Sequence, residues 1–235
     1  VWSLESLDDW ELFREQNQNM TSISSNPSVV GIDVGGAKKG FHAVALENGR
    51  FKALKKTVHI PELVEWCVQS IDASIIAIDA PCRWSRDSRG RLAERQLMRK
   101  RISCFSTPKR GQAIEHPKRY YDWMLTGEGL YRKLQKSHPM YDGLTISGTK
   151  TCFETYPHAI TWHLRNGDAH ATLKRSQRIE ILCRYGIETT CLTNMDWIDA
   201  ALCALTASFA RSGEPLAIYG EPKTGFIVVP EMRSS

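Results

Sequence analysis

From residue 28 onward, short apolar runs alternate with stretches of helical periodicity. Runs at 29–34, 40–47, 50–58 and 74–79, bounded by Gly, Asn and Pro, predict strands. Asn48–Gly49 separates the second run from the third and predicts a tight hairpin, because both central residues of such a turn need positive φ. The fourth run, SIIAID at 74–79, is continuously apolar, as in a strand covered on both faces. Behind Pro61, the positions Leu63, Val64, Cys67, Val68 and Ile71 follow helical spacing. Further helical material is predicted at 89–102, 118–136, 157–166, 176–185 and 195–211. A strand is predicted at 151–156, and runs at 216–219 and 226–229 flank EPKTG as a closing hairpin or loop. A three-stranded antiparallel meander, a helix, a buried strand and then alternating elements make a mixed α/β chain.

Residues 1–27 stand apart. Ser3, Leu4, Leu7, Trp10 and Phe13 suit a short capped amphipathic helix, followed by a Ser/Asn/Gln-rich linker. Met20 just precedes that linker, so residues 1–19 are expected to be non-native or to lie upstream of the native start. The N-terminus lacks the basic-then-apolar order of a signal peptide, and no apolar run approaches the roughly 20 residues that span a bilayer. The expectation is no membrane partner and a cytoplasmic location. Seven cysteines include no C-x-x-C pair and read as buried reduced thiols.

The 235 residues, 42% hydrophobic and 24% charged, are enough for one domain with a substantial core. A net charge of +5 is modest, but between 81 and 119 there are twelve Lys/Arg against three Asp/Glu. Such a segment is either a set of solvated helix faces or a surface for the phosphates of DNA or RNA.

Several carboxylates fall where elements begin or end. Asp33 and Asp79 each close an apolar strand run, and Ala80–Pro81 stops the second strand there. A carboxylate in that position is costly unless paired, capped or bound to metal, although either one alone is also a turn former. Asp196 and Asp199, three apart in the last helix, share a face. With Thr193 as N-cap, Asp196 falls at the third helical position and has a capping explanation. Asp199 lies above Cys203, Thr206 and Ala210 and faces the protein. Glu154 interrupts a short strand, as a site residue or as an outward-facing polar position. His158, behind Pro157, is an acid/base candidate or merely opens a helix. Carboxylates gathered from strands and a helix suit Mg2+ or Mn2+, and two such ions can serve phosphodiester hydrolysis.

The segments GIDVGGAKKG, IIAIDAP, RLAERQLMRKR, CFETYPHA, DWIDAALCALTA and YGEPKTGFIVVP span about residues 29–230. In that order they resemble the domain of unknown function 429 family, viewed as predicted nucleases. The resemblance implies a single ribonuclease H-like domain over 28–235. It also implies an acidic site near Asp33, Asp79 and Asp199, with Asp196 and Glu154 beside it. In this reading Asp33, Asp79 and Asp199 hold Mg2+ or Mn2+, and Glu154 or Asp196 orients water. Arg91, Arg95 and Arg99, spaced by four, would contact substrate phosphates, with Lys38 and His158 as further substrate contacts. Glu94 stands where an acidic residue, more familiarly Asp, is expected, or it is a surface Glu pairing with Arg91 or Arg95.

Two other readings stay open. The opening motif also resembles the first phosphate loop of sugar kinases of the actin-like superfamily, which need a second lobe for ATP. A non-catalytic nucleic-acid binder or scaffold would keep the basic segment without metal dependence. A homodimer is compatible with each of these.

Overall fold

The computed structural model describes residues 28–146 and 150–232, so the helix and linker expected over 1–27 lie outside the described range. Strands β1 (Ser28–Val34), β2 (Phe41–Glu47) and β3 (Arg50–Thr57) form the antiparallel meander. Asn48 (φ 51°) and Gly49 (φ 75°) supply the two positive φ angles of the hairpin turn. Helix α1 (Ile60–Glu65) carries Pro61 in its first turn, runs into a π turn at Trp66–Ser70, and leads to β4 (Ala73–Asp79), parallel to β1. Helices α2 (Leu92–Arg99), α3 (Arg110–Glu115) and α4 (Asp122–Leu134) precede β5 (Thr151–Glu154), parallel to β4. Then come α5 (Pro157–Leu164), α6 (Lys174–Arg184) and α7 (Met195–Ser212). The antiparallel strands β6 (Leu216–Glu221) and β7 (Gly225–Pro230) close the chain.

The seven strands form one mixed sheet of order β3-β2-β1-β4-β5-β7-β6, flanked by helices. This is the expected ribonuclease H-like topology, a meander joined to parallel strands. Among the described residues there is one sheet, not the two lobes that the kinase reading requires. No helix of the described residues is long and apolar enough to cross a membrane.

Two helices begin three or four residues later than the sequence expectation, for local reasons. Helix α2 begins at Leu92 rather than residue 89 because Gly90 has φ +75° and Arg91 is extended. Helix α4 begins at Asp122 rather than 118, since Arg119 takes φ 51° and breaks the run.

Strand alternation divides the core. One face of the sheet carries Val30, Ile32, Ile76 and Ile78 against Leu63, Cys67, Leu130 and Leu134 of α1, its π turn and α4. The other carries Val29, Val44, Ile75 and Ala77 against Ala200, Cys203, Ala204 and Ala207 of α7. Gly31 lies on this second face, and there the helix backbone rests on the strand. A Cβ at Gly31 would stand 2.0 Å from the Ala204 amide nitrogen and 2.1 Å from the Ala200 carbonyl oxygen. By the period of two, Asp33, His42 and Asp79 emerge on the same face as α7. Close packing at Gly31 brings the first turn of α7 over them.

Candidate metal centre

Asp33 is paired in register with His42 of β2 on one side and with Asp79 of β4 on the other. Three chemistry-bearing side chains therefore stand in a row at the C-terminal edge of β1 and β4. In α/β sheets this edge is where sites gather. Helix α7 adds Asp196 and Asp199. Its N-cap is Asn194, whose side-chain oxygen accepts from the Trp197 amide at 3.0 Å. Thr193 is thus not the cap, and Asp196 falls at the second helical position with its carboxylate free for the site. The Trp197 ring meets His42 edge-on, with centroids 4.6 Å apart.

The turn at residues 35–40 sends Lys39 back over these groups. Its ammonium lies 2.6 Å from Asp196 and 3.7 Å from Asp33. Gly35 makes this path available, because a Cβ there would come within 2.6–2.7 Å of the lysine stem carbons. Lys38 is exposed at the same turn.

The electrostatics follow from burial and like charge. Burial raises the Asp33 carboxyl to about 7; Lys39 opposes the shift, and Asp199 and Asp196 add to it. Asp79 is pushed well above the usual carboxylate range by burial first, then by the charges of Asp33 and Asp199. Asp199 is raised by burial against the pull of Arg178, whose guanidinium pairs with it directly. Burial lowers His42, against the pull of Asp196. Asp33 Oδ2 and both ring nitrogens of His42 are buried with no hydrogen-bond partner among the described residues.

One ligand atom each of Asp33, His42 and Asp196 lies within 4.8 Å of the others, a candidate cluster for a cation. This differs from the expected set of Asp33, Asp79 and Asp199. His42 enters it, while Asp79 and Asp199 act on the same place through their charge. Orphaned carboxylate oxygen, orphaned imidazole nitrogen and mutually repelling acids form a donor set that could hold a cation. The cluster offers hard carboxylate oxygens together with one imidazole nitrogen.

Other expected site residues are used differently. Glu154 accepts from both terminal nitrogens of Arg91, at 2.7 and 2.6 Å, and from the Cys82 amide at 2.8 Å. Arg91 Nε donates to Glu94 at 2.7 Å, and Glu94 also accepts from the Thr107 amide and hydroxyl. All three charged side chains are buried. Glu154 and Arg91 are thus each other's partners, and Glu94, weighed as a surface residue, is buried with them. Arg91 is the N-cap of α2, so it does not share a helical face with Arg95 and Arg99. Arg95 donates to the Gly90 carbonyl at 2.6 Å, while Arg99 is exposed. His158 is half-buried near Tyr156, and burial followed by the Arg178 charge lowers its pKa. Ten of the twelve basic residues between 81 and 119 are exposed.

His42 and Arg178 escaped the sequence reading. Counting outward from the turn at 35–40 would have set His42 opposite Asp33. Arg178, in KRSQRIEIL, looks like any surface cation.

In the comparison with solved structures, a match is found to the "Thermus thermophilus RuvC structure". Identity is 17% and the TM-score is 0.41, over 79% of this chain and 96% of that one. A comparison with curated proteins finds no match. The family described as "Protein of unknown function (DUF429)" matches residues 31–224, a span that takes in the strand-edge acids, His42 and the acids of α7, and the chain belongs to that family.

Proposed function

We propose that the protein is a divalent-metal-dependent phosphodiesterase that cleaves nucleic acid. The observation that carries this reading is the adjacency of Asp33 and Asp79, both held above the usual carboxylate range and both under the charge of Asp199. Asp33, His42 and Asp196 would hold the ion, with Asp79 and Asp199 completing its surroundings. Bound Mg2+ or Mn2+ supplies an activated water and offsets charge on the phosphate oxygens. The protein's own residues prepare the place. Arg178 orients Asp199 through their ion pair. Glu154 fixes the chain three residues beyond Asp79 through the Cys82 amide, and Arg91 in turn fixes Glu154. The exposed cations of segment 81–119 would hold the substrate backbone, an attraction that weakens with salt.

The test is a panel of DNA, RNA and small phosphoesters with Mg2+ or Mn2+, run on the wild type beside Asp33→Asn and Asp199→Asn. Metal-dependent turnover lost in both variants is expected. Turnover untouched by both would overturn the site.

A second reading, a non-catalytic nucleic-acid binder, draws on Lys39. Its ammonium lies between Asp196 and Asp33 and offsets their charge without a metal. Salt-sensitive binding with no metal-dependent turnover would favour it.

A further inference from the structure

Beside Asp79, on the side away from His42, lies a cleft that the proposed chemistry does not use. Asp79 lines it together with Phe105, Trp123, Met124, Thr155 and Tyr156. Its cavity volume is about 50 Å³, room for the centres of roughly four water molecules. At about 30 Å³ for each water in the liquid, that is the volume of one small ring. Phe105, Trp123 and Tyr156 supply an aromatic lining beside the buried, mutually paired Arg91, Glu94 and Glu154. Phe105 and Trp123 stand 6.4 Å apart, and Phe105 meets Tyr120 at 6.2 Å. Phe105 is 59% exposed and Tyr120 50%, an unusual pairing of large rings left open to solvent.

The wall is held in place. Tyr156 donates to the Ser103 carbonyl at 2.9 Å, and the Thr107 amide is fixed by Glu94, so the segment carrying Phe105 is pinned on both sides. Thr155 is one of the lining residues, and its hydroxyl is buried with no hydrogen-bond partner among the described residues. A buried hydroxyl without a partner is costly and is satisfied by a ligand with a polar edge. Lys109 and Lys118, both exposed, lie in the chain between Phe105 and Tyr120.

A flat ligand with a hydrogen-bonding rim, attached to a phosphate that reaches Asp79, is a nucleotide whose base is out of its stack. We infer that this cleft receives one unpaired nucleobase of the substrate strand, with Phe105 and Tyr120 as the stacking platform at its mouth. The inference rests on the phosphodiesterase reading and names its substrate class: single-stranded or locally unpaired nucleic acid, not intact duplex. A duplex keeps its bases stacked and offers this cleft nothing, whereas ring stacking tolerates any base.

The experiment is fluorescence anisotropy without divalent metal, on the wild type, Phe105→Ala and Thr155→Val. The probes are labelled 12-mers: single-stranded, blunt duplex, and a strand of abasic residues. The single strand is expected to bind about tenfold more tightly than the duplex or the abasic strand. Phe105→Ala should weaken single-strand binding about five- to tenfold. It should leave duplex binding and the melting temperature unchanged, because its ring is mostly in solvent. Thr155→Val should weaken the base-bearing strand alone. Equal binding of all three probes, or a single-strand affinity unmoved by Phe105→Ala, would overturn the inference. A mononucleotide that matches the strand's affinity would overturn its strand component. Cleavage with Mn2+ is scored separately. Strand preference without cleavage removes the phosphodiesterase and keeps the cleft. Cleavage without preference does the reverse.

Discussion

Asp33 and Asp79 occupy one rung of the parallel β1–β4 ladder, two acids side by side and both held above the usual carboxylate range. Such a pair destabilises the metal-free protein whenever both groups ionise. Asp79→Asn is therefore expected to raise the melting temperature in chelator at pH 8. A rise of about 2–4 °C accompanies each kcal/mol relieved in a domain of this size. The same variant should lose most of the thermal shift that Mn2+ gives the wild type. A lower melting temperature in chelator would mean that Asp79 is engaged in a favourable contact.

Metal binding should depend steeply on pH, and the sign follows from burial. The Asp33 carboxyl sits near 7 when folded, against an ordinary carboxylate value in the unfolded chain. Between about pH 4 and 7 the folded state thus holds a proton that the unfolded state has lost. The stability contributed by protonated Asp33 is complete below the lower value and disappears as pH rises through the higher one. A bound cation needs the ionised form, so affinity should climb up to about tenfold per pH unit from 5 to 7, with proton release. Calorimetry in buffers of different ionisation enthalpy counts those protons. A flat affinity over this range would remove Asp33 from the ligand set.

Lys39 should compete with metal. Its ammonium, 2.6 Å from Asp196, stands where a cation would meet that carboxylate. Lys39→Met keeps the stem over Gly35 and removes the charge. Mn2+ affinity is expected to rise at least about fivefold, the effect of removing one unit charge about 4 Å away even under water-like screening. Weaker Mn2+ binding in Lys39→Met would show instead that the lysine holds the carboxylates in a receptive arrangement.

The contact at Gly31 positions everything above it. An added methyl would lie about 2 Å from backbone atoms of α7, and backbone cannot give way as a flexible side chain can. Gly31→Ala should cost about 3 kcal/mol or more, the upper end of core overpacking. Denaturant titration measures this. A cost under about 1 kcal/mol would mean that α7 shifts easily and that its acids are not held in place.

The strand-edge acids were legible in the sequence because an apolar run that ends in Asp carries its own register. The hairpin was legible because Asn48–Gly49 has few other uses. Asp199 was legible from the small and apolar residues that continue its face. Arg91 was not: within RLAERQLMRKR it reads as one of a periodic basic set. Only the left-handed Gly90 and the later strand bearing Glu154 turn it inward. Contacts such as Arg91–Glu154, 63 residues apart, leave no local trace in composition or spacing. The same holds for Arg178 and Asp199, 21 residues apart and joined only by tertiary packing.

The buried Arg91–Glu154 pair gives the most direct separation of structure from chemistry. Arg91→Met leaves Glu154 and Glu94 buried without their cation, and breaking such a pair costs about 3–5 kcal/mol. Glu154→Gln keeps an oxygen for the Cys82 amide but gives up half of the bidentate contact, so its cost should be smaller. The double variant should be more stable than the sum of the two single effects predicts, because the penalty of a lone charge is removed. Urea denaturation of the four proteins measures the coupling, and Mn2+ titration of the folded variants reports on the metal cluster. If Glu154 only supports the chain beyond Asp79, Glu154→Gln will lose stability while retaining Mn2+ affinity. Full stability with turnover abolished would give Glu154 a direct part in the chemistry.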